Sequence, residues 1–261
     1  MQNRFGMKSH SVGFAGKARW LASALGCALL AANAWAAAPE KEAPGQTVDS
    51  GSFGVFMNGK RVATETFSIH QSSTGSTITS RFKTEAGPEQ AEQTSELLLT
   101  AGGELKSYEW KEISPGQSQA TLLPSRDLLT EHYSSNPTDK PKEQPFLLPT
   151  STNILDDYFF IQREVLAWKY LATSCKQEKG GVNCPLKEKA QMGTLNAHAR
   201  ASALVSLQFS GREKVTLHGQ EHELIRLDLK TESSDWVLWL DDTLKLQRIV
   251  DSANTTEVVR D

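Results

Sequence analysis

His218-Gly-Gln-Glu221-His222 reads H-x-x-E-H, two imidazoles four residues apart with a carboxylate beside the second. On a helix that spacing puts both rings on one face, where they bind zinc while the Glu serves as general base. The flanks argue for another setting. Lys214-Val-Thr-Leu217 and Glu223-Leu-Ile-Arg-Leu227 are strand-like, so Gly219-Gln220 is expected in a hairpin turn. No third ligand stands in a matching segment. Asp156-Asp157 and Asp241-Asp242 have the residue types for paired acid–base work. The first pair is expected in the first turn of a helix, where the dipole favours acids. The second follows Leu240 at a turn, where Asp bonds to nearby backbone. Ser72-Ser73 and Ser233-Ser234 lack a nucleophile elbow, and no phosphate loop or dinucleotide fingerprint occurs. No catalytic residue, metal ligand or cofactor is expected from these residues, and a hydrolase comes third, behind two non-enzymatic roles.

Cys175 and Cys184 would close a short loop containing Gly180-Gly181. In an exported chain an even pair reads as a disulfide. A redox pair would need the compactness of Cys-x-x-Cys, and a metal site further ligands nearby.

Export itself is expected from residues 1–36. Arg4, Lys8, Lys17 and Arg19 form a basic segment without an acid, Trp20–Ala32 is apolar, and Ala34-Trp35-Ala36 supplies small residues at cleavage spacing. This is the three-part pattern of a secretory signal, hence a periplasmic location; the alternative is a short N-terminal membrane anchor. Lipidation of Cys27 is disfavoured, because the apolar run continues through Leu30 and position 24 is not Leu. No later stretch approaches the roughly 20 apolar residues of a spanning helix, so the chain is not expected to be integral to a membrane. The net charge of −3 argues against nucleic acid. The composition, 38% hydrophobic and 23% charged, is that of a globular protein and excludes a disordered one.

The elements that must carry these residues are mostly strands. Residues 37–50, polar with two prolines, are expected as a flexible leader to a single domain over 51–261. Phe53, Val55 and Met57 alternate into Asn58-Gly59, the strongest short hairpin signal. Ala63, Glu65, Phe67 and Ile69 alternate in the return strand, and Ile78, Ser80 and Phe82 in the next. Further short strands follow at 119–123 and 128–133. Residues 136–149, with four prolines, are expected as a connection without an element. The period then changes. Ile154, Tyr158, Ile161, Val165, Trp168 and Leu171 recur at helical spacing, which predicts one long helix over about 151–172 capped by Ser151-Thr152-Asn153. It is apolar around much of its circumference and must be enclosed. Alternation resumes at Ala201, Ala203, Val205 and Leu207 and runs to the C-terminal residues.

Gly51–Glu65 resembles the opening hairpin of a broad group of exported bacterial proteins of unknown function, with an aromatic strand, an Asn-Gly turn and a return strand ending in Glu. Trp236–Arg248 is similar to that group's closing hairpin. The order strands, helix, strands is similar to periplasmic half-barrels of the lipoprotein-carrier type. That resemblance implies an α+β, mostly β fold: a curved antiparallel half-barrel of about 11–13 strands wrapped around one long helix. It also implies an apolar groove between sheet and helix that holds a lipid or acyl chain. Groove candidates are Tyr158, Phe159, Trp168 and Tyr170 on the helix, with Ala201 and Ala203 leaving room opposite. The leading expectation is a non-enzymatic carrier of an apolar or amphiphilic envelope molecule. The alternative is an envelope scaffold without a small ligand.

Overall fold

A computed structural model describes residues 45–261 except 86–89, 127, 179–180, 187–188, 233 and 252–254. The signal segment, Cys27 and residues 37–44 lie outside the described residues. The first run of strands is β1 (Gln46–Met57), β2 (Lys60–Ser72), β3 (Gly75–Thr84), β4 (Glu92–Thr100), β5 (Leu105–Ser114), β6 (Gln119–Ser125), β7 (Leu128–Ser134) and β8 (Lys142–Phe146). Next come β9 (Asn153–Ile154), α1 (Ile161–Ser174) and a small hairpin, β10 (Lys176–Glu178) and β11 (Gly181–Asn183). The second run is β12 (Lys189–Asn196), β13 (Ala201–Leu217), β14 (Gln220–Lys230), β15 (Asp235–Leu240), β16 (Leu246–Asp251) and β17 (Thr256–Arg260).

Fifteen of these strands form one curved, open sheet in the order β8-β7-β6-β5-β4-β3-β2-β1-β17-β16-β15-β14-β13-β12-β9. Neighbours are antiparallel except β9, which pairs parallel to β12 through Asn153–Thr194 and Ile154–Leu195. The two runs therefore join at β1–β17, where Phe53 faces Arg260 and Val55 faces Val258. Alternation works as expected from the sequence. In β2, Ala63, Glu65, Phe67 and Ile69 are buried, and the residues between them are more exposed. The Asn58-Gly59 turn has positive φ at both positions, 51° and 75°, as the tight hairpin turn requires.

Helix α1 bonds to both runs of the sheet. Trp168 Nε1 donates to Leu244 O at 2.6 Å, and the Tyr170 hydroxyl accepts from Phe209 N at 2.9 Å. Glu164 Oε2 accepts from Leu246 N at 2.7 Å, and Glu65 of β2 meets the helix start. Its apolar side chains Ile161, Leu166, Ala167 and Leu171 join a core shared with Phe53, Ile69, Leu207, Leu227 and Ile249.

Five sequence expectations need correction. The helix is not long: it has 14 residues and begins at Ile161, not near 151. Residues 151–160 bury apolar groups at similar spacing but do so as a two-residue strand and turns, so their periodicity mimics a helix. Ser151, Thr152 and Asn153 do not cap it; the first helical turn has no side-chain cap of its own. The strand total exceeds the 11–13 expected, because β8, β9 and the β10–β11 pair are short. β8 lies inside the proline-rich stretch expected to hold no element; as an edge strand, it tolerates Pro145. β1 starts at Gln46, within the expected leader.

Candidate functional site

Between α1 and strands β2–β4 lies a cavity of about 350 Å³. The sheet wall is a cross-strand row, Ile69 opposite Ile78 and Ile78 opposite Leu97, with Leu99 beyond. The helix wall is Gln162, Val165, Leu166, Lys169, Ala172 and Thr173, spaced three or four apart along one face, with Trp168 at its side. The Thr152–Ile154 segment forms a third wall. Lys169 is the one charged side chain among the described residues that line the cavity. Its ammonium donates to Ser151 O at 2.9 Å, and burial holds its pKa below the ordinary value.

Buried polar groups hold the helix beside this cavity. Glu65, fully buried, accepts from Phe160 N at 2.7 Å, from Ile161 N at 3.3 Å and from Ser80 Oγ at 2.6 Å. It thereby satisfies amide donors that open a helix. Burial raises its pKa to about 7, against the opposing pull of these three bonds. One helical turn on, Glu164 is raised to about 9, first by burial and then by Asp49 beside it. Burial also pushes Asp49 up, but hydrogen bonds from Arg260, Glu164 and Lys245 outweigh it and leave its pKa below the ordinary value. Arg260 Nη2 reaches both acids, Asp49 at 2.6 Å and Glu164 at 3.0 Å.

A second polar cluster lies before the helix. Asp156, fully buried, accepts from the Tyr108 hydroxyl at 3.1 Å and from Tyr158 N at 3.1 Å, and its Oδ2 bonds to His198 Nδ1. His198 Nε2 bonds to Gln93 Oε1 at 2.7 Å, and the ring stacks on Trp110 with centroids 3.8 Å apart. Both imidazole nitrogens are thus occupied by protein partners. The Asp–His pair presents no free nitrogen to a substrate. On β7, Glu131 is fully buried and neither carboxyl oxygen has a hydrogen-bond partner; burial raises its pKa to about 7.

The expected groove residues separate. Trp168 lines the cavity. Phe159 and Tyr170 are fully buried in the core. Tyr158 is exposed at one edge and packs on Phe82 and His198. Ala201 and Ala203 line a different recess of about 250 Å³, with Asp157, Arg163 and Trp236. Cys175 and Cys184 are disulfide-bonded across the β10–β11 hairpin. His218-Gly219 forms the β13–β14 turn, both with positive φ, and His218 Nε2 bonds to Arg260 O, so the H-x-x-E-H run is a hairpin and not a helix. Among the described residues no group of three His, Cys, Asp or Glu is placed to hold a metal. Asp241 caps its own turn by accepting from Thr243 N and Lys245 N. Asp156, expected as helix-dipole charge, instead serves the buried Tyr108–His198 cluster and precedes the helix.

Among solved structures, the chain is similar to a β-barrel-like protein of domain of unknown function DUF1849 from Brucella abortus. The match has a TM-score of 0.50 at 10% identity and covers 83% of this chain and 94% of that one. The fold is β-barrel-like. No family model and no curated protein matches the sequence. Among the described residues no helix is long and apolar enough to cross a membrane. The disulfide fits an oxidising compartment.

Sequence reasoning missed Glu65, Glu131, Glu164 and His198. For the first two a signal existed: each is an acid at an inward position of an alternating strand, Phe67 following Glu65 on that face and Leu129 and Tyr133 flanking Glu131. His198 carries no such signal, because it sits in the β12–β13 turn and is delivered to Trp110 only by the tertiary fold.

Proposed function

We propose that the protein is an exported, periplasmic, non-enzymatic binding or carrier protein. Its cargo is an apolar or amphiphilic envelope molecule held between α1 and β2–β4, in a mostly β half-barrel of the lipoprotein-carrier type. The observation that carries this reading is the apolar cavity of about 350 Å³ along the helix, which falls in the size range of small-molecule sites. At the ~30 Å³ that a water takes in the liquid, it holds roughly a dozen heavy atoms, one chain rather than two. Affinity comes mainly from burying apolar area, at about 25 cal/mol per Å². The occupied nitrogens of His198 weigh against a hydrolase. The exposed edge strand β8 carries Lys142, Glu143 and Pro145, a composition that resists strand addition and weighs against a scaffold built on that edge.

Native mass spectrometry of the purified protein, with titration by the uncharged fluorophore N-phenyl-1-naphthylamine, tests the reading. Co-purified lipid and saturable dye enhancement are expected. A protein that is always empty and leaves the dye dark overturns it.

A further inference from the structure

The recess of about 250 Å³ shares no described lining residue with the cavity along β2–β4. Ala201, Ala203 and Val205 alternate along β13 to form one wall, and their short side chains leave the space open. Leu229 of β14 pairs with Trp236 of β15 beside them. Arg163 enters from α1 and is 3% exposed. Its guanidinium lies against the rings of Phe160 and Trp236, 4.8 and 4.9 Å from their centroids, a stacking that fixes its plane. Nη1 donates to Asp156 O at 3.1 Å, and Nε is shut away without a partner. Nη2 has no partner among the described residues, and unlike Nε it keeps accessible surface in the recess. Burial pulls the Arg163 pKa below its ordinary value; Asp157, Glu65, Asp156 and Asp251 oppose this from a distance, and none of the four carboxyls bonds to it. Asp157 lines the same recess at its exposed rim. Its Oδ2 accepts from Asn196 Nδ2 at 2.7 Å, and its Oδ1 has no partner among the described residues. Other polar side chains of the wall are committed. Thr194 Oγ1 donates to Ala203 O at 3.1 Å, Asn196 Oδ1 accepts from Ala199 N at 3.0 Å, and Ser234 Oγ accepts from Trp236 Nε1 at 2.8 Å. The recess thus presents a buried cation and a rim anion, unpaired with each other, beside an apolar wall.

We propose that this recess binds a free α-amino acid with a branched apolar side chain. Its carboxylate sits on Arg163 Nη2, its ammonium on Asp157 Oδ1 and its side chain against Ala201, Ala203 and Leu229. A guanidinium N–H pairs with a carboxylate and a carboxylate with an ammonium, so one zwitterion completes both groups. A plain carboxylic acid would satisfy Arg163 but face the Asp157 charge, and a plain amine would meet the reverse. At the ~30 Å³ that a water takes in the liquid, the recess holds about eight heavy atoms, the size of valine or leucine. The site is separate from the cavity along β2–β4 and does not depend on what that cavity carries.

Isothermal titration calorimetry of the purified protein with L-leucine, isocaproate and isoamylamine tests the assignment. The last two keep the branched chain and drop the ammonium or the carboxylate. Saturable leucine binding is expected, with each analogue about tenfold weaker for the loss of one charge-assisted hydrogen bond. Asp157→Asn changes an exposed residue and keeps an acceptor for Asn196, so the fold should hold. This variant is expected to bind leucine about tenfold more weakly and to bring isocaproate level with it. Arg163→Met should remove the preference for leucine over isoamylamine. Absence of saturable leucine binding, equal binding of leucine and isocaproate by the wild type, or leucine binding that Asp157→Asn leaves unchanged overturns the proposal. The wild-type comparison decides even where a variant fails to fold.

Discussion

Replacing Glu65 with Leu tests how helix α1 is anchored. The substitution removes the acceptor that Phe160 N, Ile161 N and Ser80 Oγ share. The Ser80 hydroxyl can turn elsewhere, but the two amides at the start of the helix cannot. At about 1–3 kcal/mol for each buried donor left unsatisfied, the loss is about 4 kcal/mol while the carboxyl is neutral. The titration of the group opposes this. Burial raises its pKa to about 7 from 4.5, so the folded protein holds the proton more tightly than the unfolded chain. The stability tied to that proton is complete below pH 4.5 and is lost as pH rises through 7. At 1.36 kcal/mol per pH unit, the loss in the wild type amounts to about 3 kcal/mol. Leucine does not titrate. The penalty of Glu65→Leu should therefore fall from about 4 kcal/mol near pH 4 to about 1 kcal/mol at pH 8. Urea unfolding followed by tryptophan fluorescence, with the disulfide intact, measures both values. A penalty that stays constant or grows toward pH 8 refutes the argument, because it would mean that an ionised Glu65 holds the helix start.

Other expectations follow from the same contacts. Trp168→Ala should weaken binding of N-phenyl-1-naphthylamine more than it lowers the urea midpoint; a purely destabilising effect would separate Trp168 from the groove. Glu164 carries a pKa raised to about 9, so its stabilising proton is lost as pH climbs from 4.5 through 9. Glu164→Gln keeps an acceptor for Leu246 N, and its Tm should fall less than that of the wild type between pH 6 and pH 10. Joint replacement of Cys175 and Cys184 by Ser should cost about 2.5 kcal/mol on the chain-entropy estimate for a loop of this size, read as a lower urea midpoint.

The sheet was largely legible because period-2 alternation and tight-turn chemistry are local. Asn58-Gly59, and the strands at 119–123 and 128–133, appear where the pattern places them. Helix α1 was legible over most of its length, but the place where it starts was not. Its first turn is stabilised by Glu65, a residue 95 positions away, and no local cap marks it. Apolar spacing at 154 and 158 then extended the pattern backwards into a strand and a turn. Trp168 lines the cavity, whereas Phe159 and Tyr170 lie in the core, because which side of an all-round apolar helix meets empty space depends on strands from distant parts of the chain.

The pairing of β1 with β17 has a consequence for biosynthesis. Among the described residues these are the first and last strands, yet they lie side by side in the middle of the sheet. A ribosome delivers β1–β8 as one sequential meander and β12–β16 as another, and each can zip up as it emerges. The two cannot be joined until Thr256–Arg260 has been made. Arg260 then arrives with the guanidinium that clasps Asp49 and Glu164. The closing strand thus works as a late fastener: until it docks, the nascent protein carries two exposed β borders, the circumstance in which chaperones are most needed.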